Sequence, residues 1–239
     1  NFVAGYKADK IINNFPNINF SLNEKWESMG STGSLLSQEL DVSKPLLISY
    51  GDILFRKNLI GQVIKSSKPI VLAWDSRFFN DYSKKRNKLK LYEKIKVINK
   101  RVLRIGTDLS NTNCNGIFIG IVRFQPEVLK EIKKFEKEII SSLMSGHISC
   151  LIEFLRLKGY EVEAIDVNGD WTELIDSNDI ATFILGSKAK TLKRLQKMVS
   201  LSKIKDQISF SQEEWEKDDD RIINSILNLF GKQKKLIIR

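Results

Sequence analysis

The sequence has few of the residues that build disulfide frameworks and zinc centres. Its 239 residues include two cysteines, Cys114 and Cys150, and one histidine, His147. Two widely spaced cysteines do not form the repeated pattern of a secreted scaffold, so we expect a reducing, cytoplasmic compartment. One histidine excludes a His-rich zinc site and leaves one possible partner for a catalytic serine or cysteine. We expect His147 to be an ordinary residue near a helix start.

Long apolar runs are also absent. No segment approaches the ~20 apolar residues that cross a bilayer, and the first residues lack the basic leader and apolar core of a signal peptide. Lysine and arginine total 39 against 29 acidic residues, a formal net charge of +10. This charge is dispersed in short clusters, which indicates a solvated face and a few lysines for phosphate groups. The length suits one large α/β domain, with or without part of another.

A short apolar run at 45–55 ends in a glycine and an aspartate. We predict a buried strand in which Gly51 lets the backbone turn and Asp52 emerges at the carboxyl end, where open α/β sheets bind ligands. A second acidic strand end is predicted at 171–177, where Asp176 closes the run. Two such carboxylates suit Mg²⁺, which usually takes one or two protein carboxylates and completes its shell with water and phosphates. Simple strand-end caps would explain the two aspartates equally well.

Predicted strands and helices alternate through the rest of the chain. Glycines and hydroxyls at the helix start 30–35 suit a phosphate or a base and ribose, and equally an ordinary N-cap. A second buried strand is predicted to end at Asp75. An antiparallel hairpin is predicted over 88–106, and one helix with Pro126 at its first position over 126–143. This alternation favours an α/β fold with a mostly parallel sheet covered on both faces.

The predicted elements group into two domains. Ser177 is predicted to cap a helix at 178–185, which completes a first domain of residues 1–186. Composition then changes to a basic amphipathic helix and a second, capped helix. These later elements cannot form a core alone. We therefore predict that residues 187–239 begin a second domain.

Several short segments occur in an order that is typical of one enzyme family. They are Gly5-Tyr-Lys-Ala8, Asn23 with Gly33-Ser-Leu35, Ile48-Ser-Tyr-Gly-Asp-Ile53, Asp75 with Tyr82 and Arg86, Glu93-Lys94, Gly116-Ile-Phe-Ile-Gly120 and Trp171-Thr-Glu-Leu-Ile-Asp176. In these segments the chain resembles nucleotidyltransferases that transfer CMP or another NMP to a small phosphorylated substrate, especially the phosphocholine, phosphonate and phosphoglutamine cytidylyltransferases. The resemblance implies a Rossmann-like sheet of the GT-A-like type with an inserted hairpin.

The resemblance also implies roles for individual residues. Asp52 and Asp176 would be the catalytic carboxylates that hold Mg²⁺, and Lys94 would contact a substrate phosphate. Residues implied to contact the nucleotide are Thr32, Gly33, Ser34 and Gly51. Residues implied to lie near the acceptor are Asp75, Tyr82 and Arg86.

The chain departs from the family at two places. The family's Gly-rich, basic signature loop would precede residue 1, so we expect an N-terminally truncated domain that is inactive or weak. Gly116-Ile-Phe118 stands where many relatives have Gly-Glu-Phe, which weakens an acceptor contact there. The segment from Leu185 to Arg239 is similar to the opening of the ATP-grasp domain of phosphoenolpyruvate synthase-like kinases. That similarity implies Lys188 near an ATP phosphate; a helical appendage is the alternative.

The expected function is Mg²⁺-dependent transfer of CMP from CTP to a small phosphorylated or phosphonate metabolite, with release of pyrophosphate. Such a reaction would belong to a cell-surface polysaccharide or phosphonate pathway. One alternative is a sugar-1-phosphate nucleotidyltransferase. The other is a basic nucleic-acid-binding module, which is disfavoured because such modules interleave a dense basic stripe with exposed aromatics. The tryptophans instead occupy predicted core or strand-end positions, at Trp26, Trp74, Trp171 and Trp215.

Overall fold

The computed structural model describes residues 1–81, 92–143, 145–186, 191–192, 195–196, 199–201, 204–210 and 212–231. The chain divides into two compact units, Asn1–Asp179 and Ile180–Arg239. The predicted domain boundary at 186 lies close to this division, and the kinase-like identity of the second unit stays a prediction. Across the described ranges, no helix has the length and apolar character needed to span a membrane.

Short strands and helices alternate along the chain. The strands are β1 (Phe2–Ala4), β2 (Phe20–Leu22), β3 (Leu46–Ser49), β4 (Ile53–Phe55), β5 (Ile70–Asp75), β6 (Lys94–Ile98), β7 (Arg101–Gly106), β8 (Gly116–Phe124), β9 (Val162–Asp166) and β10 (Trp171–Glu173). The helices are α1 (Ala8–Asn14), α2 (Ser31–Leu36), α3 (Lys57–Lys65), α4 (Phe78–Asp81), α5 (Pro126–Lys134), α6 (Glu136–Leu143), α7 (Ile148–Leu157), α8 (Ser177–Leu185), α9 (Gln212–Lys217) and α10 (Asp219–Phe230). The α/β class predicted from the sequence is confirmed.

The central sheet is mixed, with the strand order β3-β8-β5-β9-β7-β6. Strands β5 and β9 are parallel, whereas β8 runs antiparallel to β3 and β5, and β7 runs antiparallel to β6 and β9. The prediction of a mostly parallel sheet is therefore wrong for the described strands. Strand β8 is the main reason: it is buried along its whole length, so it takes a central place between β3 and β5 and separates them.

The predicted hairpin is confirmed in its described part. Strands β6 and β7 pair antiparallel and are joined by a two-residue turn at Asn99 and Lys100. Both turn residues have positive φ, 48° and 65°. A two-residue turn of this kind matches the right-handed twist of the flanking strands.

The predicted helix over 126–143 is two helices, α5 and α6. The break is at Phe135, whose φ of −96° and ψ of 14° depart from helical values. There the Phe135 ring packs edge-on against Phe154 of α7, with 6.1 Å between ring centroids. Apolar residues therefore continue at helical spacing on both sides of the bend, and for this reason the sequence predicted one helix.

Strand β3 lies at an edge of the sheet and is half-buried. Leu46 and Ile48 face the core, whereas Leu47 is 38% exposed. The prediction of a buried strand before Asp52 is wrong in this respect, because among the described strands β3 pairs with β8 alone. Alternation along an edge strand leaves one set of side chains in solvent.

Both faces of the sheet carry a hydrophobic core, as predicted. Successive residues of β5 belong to opposite faces: Ile70 and Leu72 pack into one cluster, and Val71 and Ala73 into the other. Helices α5, α6 and α7 cover the first cluster, and α3 and α4 cover the second. Each fully buried aliphatic side chain contributes about 1.5–3 kcal/mol. The two layers hold the strand ends rigidly in place.

Candidate functional site

A cavity of about 300 Å³ lies at the ends of β3 and β10 in the first unit. Three carboxylates line it, from Asp52, Glu93 and Glu173. Its aromatic side chains are Tyr50, Tyr92, Phe118 and Trp171, and the remaining polar side chain is His147. Among the described residues its lining includes neither lysine nor arginine. We call this space the strand-end cavity.

The ladder between β4 and β10 brings the two acidic segments together. Glu173 pairs with Ile53 in this antiparallel ladder. The ladder continues by one bond, since the Leu174 N–H donates to the Asp52 carbonyl at 2.7 Å. Asp52 thus lies directly beside the 171–176 segment. The sequence predicted this meeting, but the carboxylate that enters the cavity with Asp52 is Glu173.

Asp176 instead caps the helix α8. Its Oδ1 accepts the Asn178 N–H at 2.7 Å and the Asp179 N–H at 3.3 Å. These are the bonds of an N-cap side chain, and they satisfy donors that a helix start leaves free. The prediction of Ser177 as the cap is therefore wrong: Ser177 is already the first residue of α8. A metal-binding role for Asp176 stays a prediction.

The half-buried Tyr50 and the buried Glu93 form a hydrogen-bonded pair in the cavity wall. The Tyr50 hydroxyl donates to Glu93 Oε1 at 2.7 Å, and the Ser149 N–H donates to Oε2 at 3.0 Å. Ser31 Oγ accepts the Ile148 N–H at 2.9 Å and lies 3.3 Å from the Tyr50 hydroxyl oxygen. Burial, reinforced by the negative charge of Glu93, raises the pKa of Tyr50 far above its ordinary value.

A glycine makes room for the Tyr50 ring. Gly120 in β8 has φ +85°, and a Cβ atom there would lie 2.4 Å from Tyr50 Cδ2. The Tyr50 N–H also donates to the Gly120 carbonyl at 2.9 Å. Only glycine allows both this φ and this close approach.

The segment predicted to contact the nucleotide, residues 32–34, lies within α2, and Thr32 hydrogen-bonds it to the residues just before α7. Thr32 is fully buried; its Oγ1 donates to the His147 carbonyl at 2.7 Å and its N–H to the Gly146 carbonyl at 3.1 Å. Ser34 Oγ accepts from Asn23 Nδ2 at 3.0 Å. Side chains engaged in this way hold backbone segments together. Nucleotide contacts by Thr32 and Ser34 stay predictions.

The two glycines assigned to the nucleotide differ in their surroundings. Gly33 is buried within α2. Gly51 lies in the turn before Asp52, but its φ is outside the left-handed region and a Cβ atom would meet the Phe2 ring at an ordinary 3.6 Å. The turn predicted at Gly51 is present, and neither its φ nor the space around it requires glycine. Nucleotide contacts by Gly33 and Gly51 stay predictions.

Lys94 lies outside the lining of the strand-end cavity. Its side chain is buried, and Nζ donates to the carbonyls of Thr107 at 3.0 Å and Leu109 at 2.7 Å. Successive residues of a strand point to opposite faces, so Glu93 reaches the cavity and Lys94 does not. A phosphate contact by Lys94, which would require it to leave these carbonyls, stays a prediction.

Asp75 is also engaged by the protein. The residue is 3% exposed, and its carboxylate accepts the N–H groups of Arg77 at 3.0 Å and Gly169 at 2.9 Å. It also accepts Trp171 Nε1 at 2.8 Å, which fixes the indole in the cavity wall. Direct contact with an acceptor stays a prediction. Tyr82, Arg86 and Lys188 lie outside the described residues.

No family model matches this sequence, and no curated protein matches it. Solved structures do. The chain is similar to the inositol-1-phosphate CTP transferase from T. maritima, with a TM-score of 0.53, 18% identity, and 83% of this chain and 77% of that chain covered. It is also similar to a protein from Bacillus anthracis assigned as a glucose-1-phosphate thymidylyltransferase, with a TM-score of 0.56, 12% identity, and 84% and 77% covered. The fold is that of nucleotidyltransferases.

The oxygen ligands that Mg²⁺ prefers are present in the cavity of this nucleotidyltransferase fold. Asp52 and Glu173 both line it, and the backbone ladder holds their segments side by side. Over the described ranges, no group of three or more His, Cys, Asp or Glu side chains could hold a metal ion. Mg²⁺ does not need such a group, since one or two carboxylates suffice when substrate phosphates and water complete the shell. The donor chemistry of Asp52 and Glu173 therefore suits the ion.

Sequence reasoning assigned no role to Glu173, Glu93 or Tyr50, although all three lie in the segments that carry the family resemblance. For Glu173 a signal was available. Trp171 and Glu173 are two apart in a strand, so they share a face, and an indole beside a carboxylate suits a ligand cavity. The Tyr50–Glu93 contact joins residues 43 apart in the chain, and no local pattern predicts it.

Proposed function

We propose that the strand-end cavity is the site of a nucleotidyltransferase that transfers CMP from CTP to a small phosphorylated or phosphonate acceptor. The observation that carries this proposal is that Asp52 and Glu173 line one cavity at strand ends of a nucleotidyltransferase fold. The similarity to a protein named as a CTP transferase supports CTP as the donor. In this reaction an acceptor oxygen attacks the α-phosphorus, and the bond to the β-phosphate breaks so that pyrophosphate leaves.

The residues of the chain act by positioning. Mg²⁺ held by Asp52 and Glu173 would neutralise charge on the α-phosphate and on the leaving pyrophosphate. Asp52 is presented from a turn whose carbonyl is fixed by the Leu174 N–H. Trp171 is held by Asp75 and forms part of the cavity wall. Such preorganised groups lower the barrier because they need no rearrangement during the reaction.

The lining favours an acceptor with a positively charged end. The faces of aromatic rings attract organic cations, and here four aromatic side chains line the cavity together with three carboxylates. Glu93 provides a buried negative charge at the cavity wall. The described part of the lining offers neither lysine nor arginine to an anionic acceptor end. Phosphocholine is the simplest acceptor of this chemistry.

A sugar 1-phosphate is the second candidate. Carboxylates and an imidazole also accept or donate hydrogen bonds to sugar hydroxyls, and Glu93, Glu173 and His147 line the cavity. The similar proteins named above carry an inositol phosphate and a glucose phosphate in their names.

The test combines turnover with binding. Pyrophosphate release is measured with CTP, UTP, GTP or ATP, each with Mg²⁺ and phosphocholine, phosphoethanolamine, glucose 1-phosphate or inositol 1-phosphate. CTP binding is measured by calorimetry in parallel, so that nucleotide binding and turnover are assessed separately. Asp52→Ala is expected to lower turnover by about 100- to 1000-fold, the usual effect of removing one charge-stabilising group. Asp41→Ala, which alters an exposed aspartate outside the cavity lining, is the matched control.

The outcomes are distinct. Turnover with CTP and phosphocholine that falls in Asp52→Ala alone supports the proposal. Turnover with sugar phosphates instead selects the second candidate. Equal turnover by Asp52→Ala and the parent chain would refute the role of Asp52, and the absence of both CTP binding and turnover would refute the proposed function.

A further inference from the structure

A chain of hydrogen bonds runs through the wall of the strand-end cavity in one direction. An ionised carboxylate only accepts, so the Tyr50 hydroxyl must donate to Glu93 Oε1. Because the one Tyr50 hydroxyl proton is used by Glu93, the Ser31 hydroxyl is the donor in its 3.3 Å contact with the Tyr50 oxygen, and Ser31 Oγ also accepts the Ile148 N–H. This series of hydrogen bonds therefore ends at the carboxylate of Glu93.

Both oxygens of Glu93 are held by different parts of the fold. Tyr50, at the end of β3, holds Oε1. The Ser149 N–H, in the first turn of α7, holds Oε2 at 3.0 Å. Two donors on two oxygens define the orientation of the carboxylate, and a helix N-terminus favours its negative charge. The remaining lone pairs of Glu93 are left for the cavity.

Tyr50 itself is fixed independently of Glu93. Gly120 leaves a slot for its ring, and the Phe118 ring packs edge-on against it with 6.0 Å between centroids. Its N–H is bonded to the Gly120 carbonyl. Phenylalanine would fill the same slot, so packing alone does not require the hydroxyl. The distinctive contribution of tyrosine is the bond to Glu93.

We propose that the Tyr50 hydroxyl is a positioning group that sets the affinity of the strand-end cavity for the positively charged end of its ligand, acting through Glu93. This inference rests on the acceptor chemistry of the proposed function. Tyr50 does not contact the reacting atoms. It acts because a carboxylate held by two donors presents its charge in one direction, whereas one held by Ser149 alone can rotate.

The test compares a cation with its neutral isostere. Choline and 3,3-dimethyl-1-butanol have the same shape, and only choline is charged; binding of each is followed by NMR titration. Tyr50→Phe is expected to weaken choline binding about tenfold, or ~1.4 kcal/mol, and to leave the neutral isostere unchanged. Tyr160→Phe removes a hydroxyl from a half-buried tyrosine outside the cavity lining and is expected to change neither affinity.

A second measurement does not depend on any ligand. Tyr50→Phe is expected to speed amide hydrogen exchange at Ser149, because its acceptor Glu93 is no longer held at the other oxygen. Tyr160→Phe is the control for this measurement too, and is expected to leave that exchange rate unchanged.

Each outcome decides the inference. Equal weakening of both probes would show general damage to the cavity and would overturn it, as would unchanged choline binding in Tyr50→Phe. A parent chain that binds neither probe would overturn the acceptor chemistry and the claim on affinity together. Exchange at Ser149 then still decides whether Tyr50 holds Glu93, which separates the two failures.

Discussion

The substitution Gly120→Ala tests the slot on which the Tyr50–Glu93 pair depends. A Cβ atom at this position would lie 2.4 Å from Cδ2 and 2.5 Å from Cγ of Tyr50. The backbone there has φ +85°, which L side chains rarely adopt. The alanine variant therefore combines backbone strain with a clash against a ring that is held on its other sides.

The structure offers a control that separates these two effects. Gly159 has φ +98°, and a Cβ atom there would meet nothing within 4 Å. Gly159→Ala should cost the backbone strain alone, about 1–2 kcal/mol. Gly120→Ala should cost a similar strain plus about 1–3 kcal/mol for overpacking. Gly61→Ala, on an open face of α3, should instead stabilise the chain by about 0.5–1 kcal/mol.

The assay is urea unfolding, in which the free energy falls linearly with denaturant and the midpoints of the variants are compared. The expected order of stability is Gly61→Ala, parent chain, Gly159→Ala and Gly120→Ala. If Gly120→Ala and Gly159→Ala lose the same free energy, the Tyr50 ring does not need the slot, and the argument that Gly120 positions Tyr50 fails.

Two further predictions concern Tyr50 and Asp176. Burial raises the pKa of Tyr50 in the folded chain above its ordinary value of 10.0. The contribution of Tyr50 to the free energy of unfolding is therefore complete below about pH 10. Above that pH the contribution falls by up to about 1.4 kcal/mol per pH unit, because the unfolded chain loses the proton first. Urea midpoints between about pH 8 and 11 should thus fall less steeply for Tyr50→Phe than for the parent chain; parallel curves would contradict this. Asp176→Ala should cost about 1 kcal/mol as a lost cap, while Asp176→Asn keeps the cap. If Asp176→Asn keeps the urea midpoint and the turnover of the parent chain, Asp176 acts as a cap. If both Asp176→Ala and Asp176→Asn lose turnover, Asp176 acts as a metal ligand.

Local patterns in the sequence predicted the elements of the fold better than their arrangement. The hairpin at Asn99 and Lys100 follows from alternation and a short polar turn, and it is confirmed. The direction of β8 does not follow from its sequence, because a fully apolar run has no periodicity that distinguishes parallel from antiparallel pairing. The bend at Phe135 is equally hidden, since it keeps the apolar face continuous.

For the candidate site, too, the sequence predicted which segments meet but not which of their side chains line the cavity. That Asp52 and the 171–176 segment meet follows from the rule that ligands bind at strand ends. Which neighbour of a strand residue enters the cavity depends on register, and a shift of one position exchanges the faces. The resemblance implied a role for Lys94, which stays a prediction, and the residue that lines the cavity is its neighbour Glu93.

Register also bears on the choice between Glu173 and Asp176 as the second carboxylate. Trp171 and Glu173 both line the strand-end cavity, as residues two apart in one strand should. Asp176 lies beyond β10, where the chain turns into α8, and its Oδ1 is used by the helix start. A ligand at Asp176 would have to compete with two backbone N–H groups. Within the described residues the Glu173 carboxylate accepts one hydrogen bond, from the Tyr92 hydroxyl at 3.2 Å. Glu173 is thus the carboxylate with more capacity left for a cation beside Asp52.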